Sequence, residues 1–131
     1  MAYEKVFFKI IVCIGLVVCA IALFMKVQIY KTYKRLDEVQ IVDVSQVKDG
    51  TYHGEEETAL VKVSVEVTVK NHRITDICLL RHENGKGYIA ESMIPEMIEK
   101  NTSEVDTVSG ATMSSKTIKA ALRNALAKGS K

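Results

Sequence analysis

A long apolar run near the amino terminus constrains this chain more than any other feature. Residues 6–25 (VFFKIIVCIGLVVCAIALFM) carry one charge, Lys9, and the stretch from Ile10 to Met25 carries none. At 1.5 Å rise per residue, twenty helical residues span about 30 Å, the thickness of a bilayer's hydrocarbon core. Lys9 lies within one turn of the start, so its ammonium can snorkel to the interface. A cleaved signal peptide would need a shorter apolar core and a small-x-small site, whereas this run ends in Leu23-Phe24-Met25-Lys26. A lipoprotein signal would need a small residue before the modified cysteine, but Cys13 and Cys19 each follow a valine. The expectation is an uncleaved single-pass transmembrane helix, a short tail over 1–5, and the lipid bilayer as a partner.

Little chain remains for anything else. Of 131 residues, only the 94 from Glu38 to Lys131 follow the basic flank of the span. That length excludes a multi-domain enzyme and any barrel of the usual ~250 residues. Residues 1–37 hold six Lys/Arg against two acids, and residues 38–131 hold twelve against fourteen. The overall +2 is therefore a basic collar beside a slightly acidic domain, which argues against a nucleic-acid partner. Lys26, Lys31, Lys34 and Arg35 follow the span, while Lys5, Lys9 and the terminal amine precede it. The positive-inside rule thus favours a cytoplasmic domain by only about one charge. Two of the three cysteines lie in the span and Cys78 stands alone, so no internal disulfide framework exists.

Residues 26–47 read as a basic juxtamembrane linker that continues the helix for several turns, and the domain proper occupies 48–131. Asp49-Gly50 marks a turn, and Thr51-Tyr52 opens a first short strand. Glu55-Glu56-Glu57 reads as a solvated loop. Val61, Val63, Val65, Val67 and Val69 alternate with polar residues, the pattern of a half-buried strand. Asn71-His72 supplies a turn, and a third strand runs from Arg73 or Ile74 to Leu80. Tight turns between short strands imply antiparallel pairing. After Gly85 and Gly87 the period becomes helical, with Pro95 expected at the start of a helix or at a kink in it. Ile118, Ala121, Leu122, Ala125 and Leu126 form the apolar stripe of a last helix. Ser114 or Ser115 is its expected N-cap and Gly129 its terminator. The class is α+β, a small antiparallel sheet with C-terminal helices.

Most catalytic constellations are missing. His53, His72 and His82 lie in separate segments without metal-ligand spacing and read as surface residues. Neither a phosphate loop nor a dinucleotide fingerprint occurs. The informative segment is Asp106-Thr107-Val108-Ser109-Gly110-Ala111-Thr112-Met113-Ser114-Ser115. Five hydroxyls and an acid surround a Gly-Ala pair just before the last helix. Gly110 permits positive φ or close backbone approach, and the unpaired amides of a helix start favour a phosphate. From chemistry alone the loop is either a phosphate seat with an accessible threonine hydroxyl or a Ser-rich loop with an ordinary cap.

The pattern Asp106-x-x-Ser109-Gly110-Ala111-Thr112-x-Ser114-Ser115 resembles the attachment motif of the FMN-binding domain family. That family includes the G subunit of Rnf-type electron-transport complexes and the C subunit of the sodium-pumping NADH:quinone reductase. The resemblance begins at Asp49-Gly50-Thr51-Tyr52-His53-Gly54 and ends in the last helix. It implies FMN joined to Thr112 by a phosphoester bond, with Ser109, Gly110, Ala111, Ser114 and Ser115 completing the cofactor-binding segment. It also implies a metal-dependent flavin transferase that takes FMN from FAD and recognises Asp106. A membrane-anchored electron carrier working outside the cytoplasm, with redox partners in the membrane or beyond it, is the function implied. On this view the chain has no catalytic residue and no metal of its own. A runner-up within the same flavin class is reversible FMN binding, with Thr112 only hydrogen-bonding the phosphate, and an alternative from another class is an anchored interaction module without cofactor. Relatives often have Asp-Gly or Asn-Gly where this chain has Asn71-His72, and the chain is much shorter than the pump subunits.

Overall fold

The computed structural model describes residues 1–83 and 87–130, which form two compact units, Met1–Lys34 and Arg35–Lys131. Gly85, where the sequence pattern changes period, lies outside the described residues. In the first unit, helix α1 (Ala2–Asp37) begins and runs without a break, and every residue from 1 to 31 is exposed. Exposed Phe7, Phe8, Leu16, Leu23 and Phe24 give this helix an apolar surface on all sides. It is long and apolar enough to cross a membrane.

The second unit is a three-stranded antiparallel meander with helices on one face. Strands β1 (Gly50–Glu57), β2 (Lys62–Lys70) and β3 (Arg73–Glu83) pair in the order β1-β2-β3. The expected α+β class, with its antiparallel sheet and C-terminal helices, is what forms. Val63, Val65, Val67 and Val69 face inward from the central strand and are fully buried, as their alternation requires. Helix α2 (Met93–Lys100) contributes Met93 and Met97 to this core, and helix α3 (Thr112–Gly129) contributes Ile118, Ala121, Leu122, Ala125 and Leu126. Pro95 sits in the first turn of α2, where its missing N–H costs no helical bond, and the helix starts there without a kink.

Three local expectations change. Glu55-Glu56-Glu57 is the end of β1, paired with Ser64, Val63 and Lys62, because an edge strand can leave its outward carboxylates in water. Glu56 also accepts from Arg35 at 2.7 Å. β3 continues past Leu80 to Glu83, with register shifts that leave Thr75 and Leu80 as extra residues. Those two bulges keep Ile74, Ile77, Leu79 and His82 on the inner side despite their uneven spacing. His82 is consequently no surface residue: its side chain is 2% exposed and its Nδ1 lies 2.9 Å from Glu91 Oε1. His53 and His72 are exposed. Leu36, Val42, Val44 and Val47 are buried as well, so part of the 26–47 stretch belongs to the core of the second unit.

Several motif residues turn out to hold the fold. Asn71 and His72 both have positive φ, 53° and 60°, the geometry of a tight two-residue hairpin. Asp49 Oδ1 accepts from the Asn71 amide at 2.8 Å and pins that hairpin to the start of β1. The Tyr52 hydroxyl donates to the Lys48 carbonyl at 2.6 Å. At Gly54 the backbone of α3 lies so close that an added Cβ would meet the Ala121 carbonyl oxygen at 2.1 Å.

Candidate functional site

Between α2 and α3 the chain crosses from one end of the sheet to the other. Asn101 closes α2 in the left-handed conformation, its amide side chain accepting from Ile74 N–H at 2.7 Å and donating to the His72 carbonyl at 3.1 Å. Val105 is buried midway and anchors the crossing. From Asp106 the loop surfaces: Asp106, Thr107, Ser109 and Gly110 are all exposed, and Val108 is half-buried.

Gly110 has φ +82° and open space above it. That left-handed backbone turns the chain into α3, with the Ala111 amide donating to the Val108 carbonyl at 3.0 Å. The helical ladder begins with Ser115 N–H donating to the Ala111 carbonyl at 2.9 Å. The amides of Thr112, Met113 and Ser114 therefore precede the ladder and carry the positive end of the helix dipole. Thr112, the first residue of α3, is half-buried beside them.

The two following serines do a different job from the one expected of them. Neither caps the helix, because the cap position is Ala111 and no side chain caps it. Ser114 and Ser115 point inward and are buried. The Ser115 hydroxyl accepts from Val108 N–H at 3.0 Å, stapling the loop to the first turn of α3. The segment thus divides by exposure: Asp106, Ser109 and Gly110 face solvent, Thr112 stands at the boundary, and Ala111, Ser114 and Ser115 support from below.

Arg123 is a part of this arrangement that sequence reasoning misses. It is 4% exposed, pairs with Glu104, and donates to Ser103 Oγ at 3.3 Å. It also reaches the carbonyls of Leu36 and Val39 at 3.5 and 3.4 Å. Burial pushes the Glu104 carboxyl up, but the hydrogen bond and charge of Arg123 outweigh that and hold it below the usual carboxylate range. Two turns earlier on α3, Lys116 donates to Asp37 Oδ1 at 2.6 Å. Thr112, Lys116, Lys119 and Arg123 share one helical face by spacing alone, which would read as a solvated stripe. Only tertiary contacts reveal that Arg123 fastens the loop.

What the site can do chemically follows from this division. An anion placed at Thr112 would meet three amides ahead of the helical ladder, a hydroxyl at Thr112, and no side chain above Gly110. Among the described residues no group of His, Cys, Asp and Glu is placed to hold a metal ion. The donor set suits a phosphate ester such as that of FMN. A comparison with curated proteins finds no match. The family described as the FMN-binding domain matches residues 61–127, just over half of the chain and including the whole Asp106–Ser115 segment, and the protein belongs to that family.

Proposed function

We propose that this chain is a membrane-anchored electron carrier whose FMN is joined covalently to Thr112, with the domain on the outer side of the membrane. The observation that carries the attachment is the placement of Thr112 at the head of α3, beside three amides ahead of the helical ladder and beyond an open, left-handed Gly110. When bound, FMN supplies the redox chemistry, and the chain supplies placement. Asp106 is exposed on the approach to the site, where a flavin transferase can reach it. In the attachment step the Thr112 hydroxyl displaces AMP from the flavin phosphate of FAD. One Thr–O–P bond forms, one pyrophosphate bond breaks, and the hydroxyl proton is lost without any redox change. The outward orientation rests on the family resemblance, which is set against a charge difference of about one across the span.

The intact mass of the full chain, co-expressed with a flavin transferase, tests the attachment. Wild type should gain FMN less one water, and Thr112→Val should gain nothing while remaining folded. Ser109→Ala should keep part of the load. Covalent flavin on Thr112→Val would show that another hydroxyl is used. Flavin that copurifies with wild type but leaves on denaturation would favour reversible binding.

A further inference from the structure

We infer that Tyr88 is the surface on which the isoalloxazine ring stacks. The inference rests on the attachment reading and adds the residue that receives the ring. An isoalloxazine is a broad, flat, mostly apolar system, and aromatic side chains are its natural stacking partners. The Arg35–Lys131 unit has two aromatic residues in its sequence, Tyr52 and Tyr88. Tyr52 is committed elsewhere. Its ring lies against Gly129, where an added Cβ would come within 2.4 Å of it, and its hydroxyl is bonded to the Lys48 carbonyl. Tyr88 is 65% exposed.

Topology puts Tyr88 at the right end of the sheet. Helix α3 runs antiparallel to β1, since Gly129 lies against Tyr52 and Ala121 lies over Gly54. Thr112 is nine residues before Ala121, about 13.5 Å along the helix. Glu57, the end of β1, is three residues beyond Gly54, about 10 Å along the strand. Thr112 therefore stands at, or just past, the rim of the sheet formed by Glu57, Lys62 and Glu83. The same rim carries the β1–β2 turn with Leu60, 70% exposed. A 3₁₀ turn, Gly87–Ser92, starts four residues after Glu83 and packs against α3. Buried Ala90, the contact of Glu91 with His82, and the Ser92 hydroxyl donating to the Ile89 carbonyl at 2.9 Å hold this turn in place. Tyr88, Ile89 and Leu60 are large apolar side chains left exposed at that end, so a ring carried on a ribityl arm from Thr112 finds an aromatic face with aliphatic neighbours.

The test uses the full chain, loaded with FMN by a flavin transferase and purified in detergent. Mass gives the load, and flavin fluorescence with visible circular dichroism reports on the ring. Stacking on tyrosine quenches flavin emission, so wild type should be dim relative to free FMN. Tyr88→Leu should brighten severalfold at equal load and lose most of its visible circular dichroism. Tyr88→Trp should stay dim, and far-ultraviolet circular dichroism should be unchanged in both. Equal emission from wild type and Tyr88→Leu at equal load overturns the stacking while leaving the attachment standing. A wild type that never gains FMN overturns both.

Discussion

Gly54 and Gly110 show how differently two glycines in one motif-bearing chain can be constrained. At Gly54 the constraint is space: an added Cβ would sit 2.1 Å from the Ala121 oxygen and 2.5 Å from the Ala125 amide nitrogen, both backbone atoms. Gly54→Ala must therefore push α3 off β1, a loss of about 3 kcal/mol or more by comparison with overpacked cores. Gly110 has ample space and a φ of +82°, so Gly110→Ala should lose only about 1 kcal/mol, the strain of a left-handed alanine. Denaturant unfolding followed by circular dichroism should give these values in that order, and a tolerated Gly54→Ala would contradict the close packing. Flavin load should respond in reverse among folded molecules, because Gly110 lies in the loop and Gly54 lies under the middle of α3. His72 is a related case. A histidine at φ 60° is strained, and its Nδ1 lies 3.2 Å from the Val47 carbonyl, a contact that a glycine at this hairpin position could not make.

At the scale of elements, the α2–α3 crossing depends on α3 for its shape. Arg123 holds Ser103 and Glu104 at one end of the loop, and Ser115 holds Val108 at the other. The Glu104 carboxyl titrates lower in the folded chain than in the unfolded one, so its contribution to stability is complete at neutral pH. That contribution is lost as pH falls from the ordinary carboxylate range through the lowered folded value. Glu104→Gln should flatten this part of the acid limb, and amide hydrogen exchange across residues 103–110 should quicken in the variant at pH 7. Unchanged exchange would show that the Arg123 pair does not restrain the loop. The period-2 valines, the hairpin turn and the stripe of α3 were legible in the sequence because each is a local pattern with one physical reading. The edge-strand glutamates, inward His82 and buried Arg123 were not. Glu55–Glu57 are strand because β2 pairs with them, His82 faces inward because the bulge after Leu79 moves the inward phase on from Arg81, and Arg123 is buried because carbonyls and Glu104 meet it from distant segments. In the Asp106–Ser115 segment, the loop before α3 and the positive φ open to Gly110 were both legible. The role of the two serines was not, since a hydroxyl that caps a helix and one that supports a loop look alike in one dimension.

For the molecule as a whole, the proposed outward orientation makes a direct prediction. Protease added to intact protoplasts should digest the domain over 38–131 and leave the span with the membrane. Digestion only after lysis would place the domain in the cytoplasm. Carbonate washing should leave the chain in the membrane fraction, since the apolar side chains over 6–25 have no other cover in their own unit. A last consequence concerns transplantation of the proposed flavin seat into other proteins. Because Ser115 holds Val108 from inside the first turn of α3, ten residues grafted onto a flexible tail would bring the hydroxyls without the shape. A portable version would need a helix with an apolar underside, and a host surface for that underside to cover.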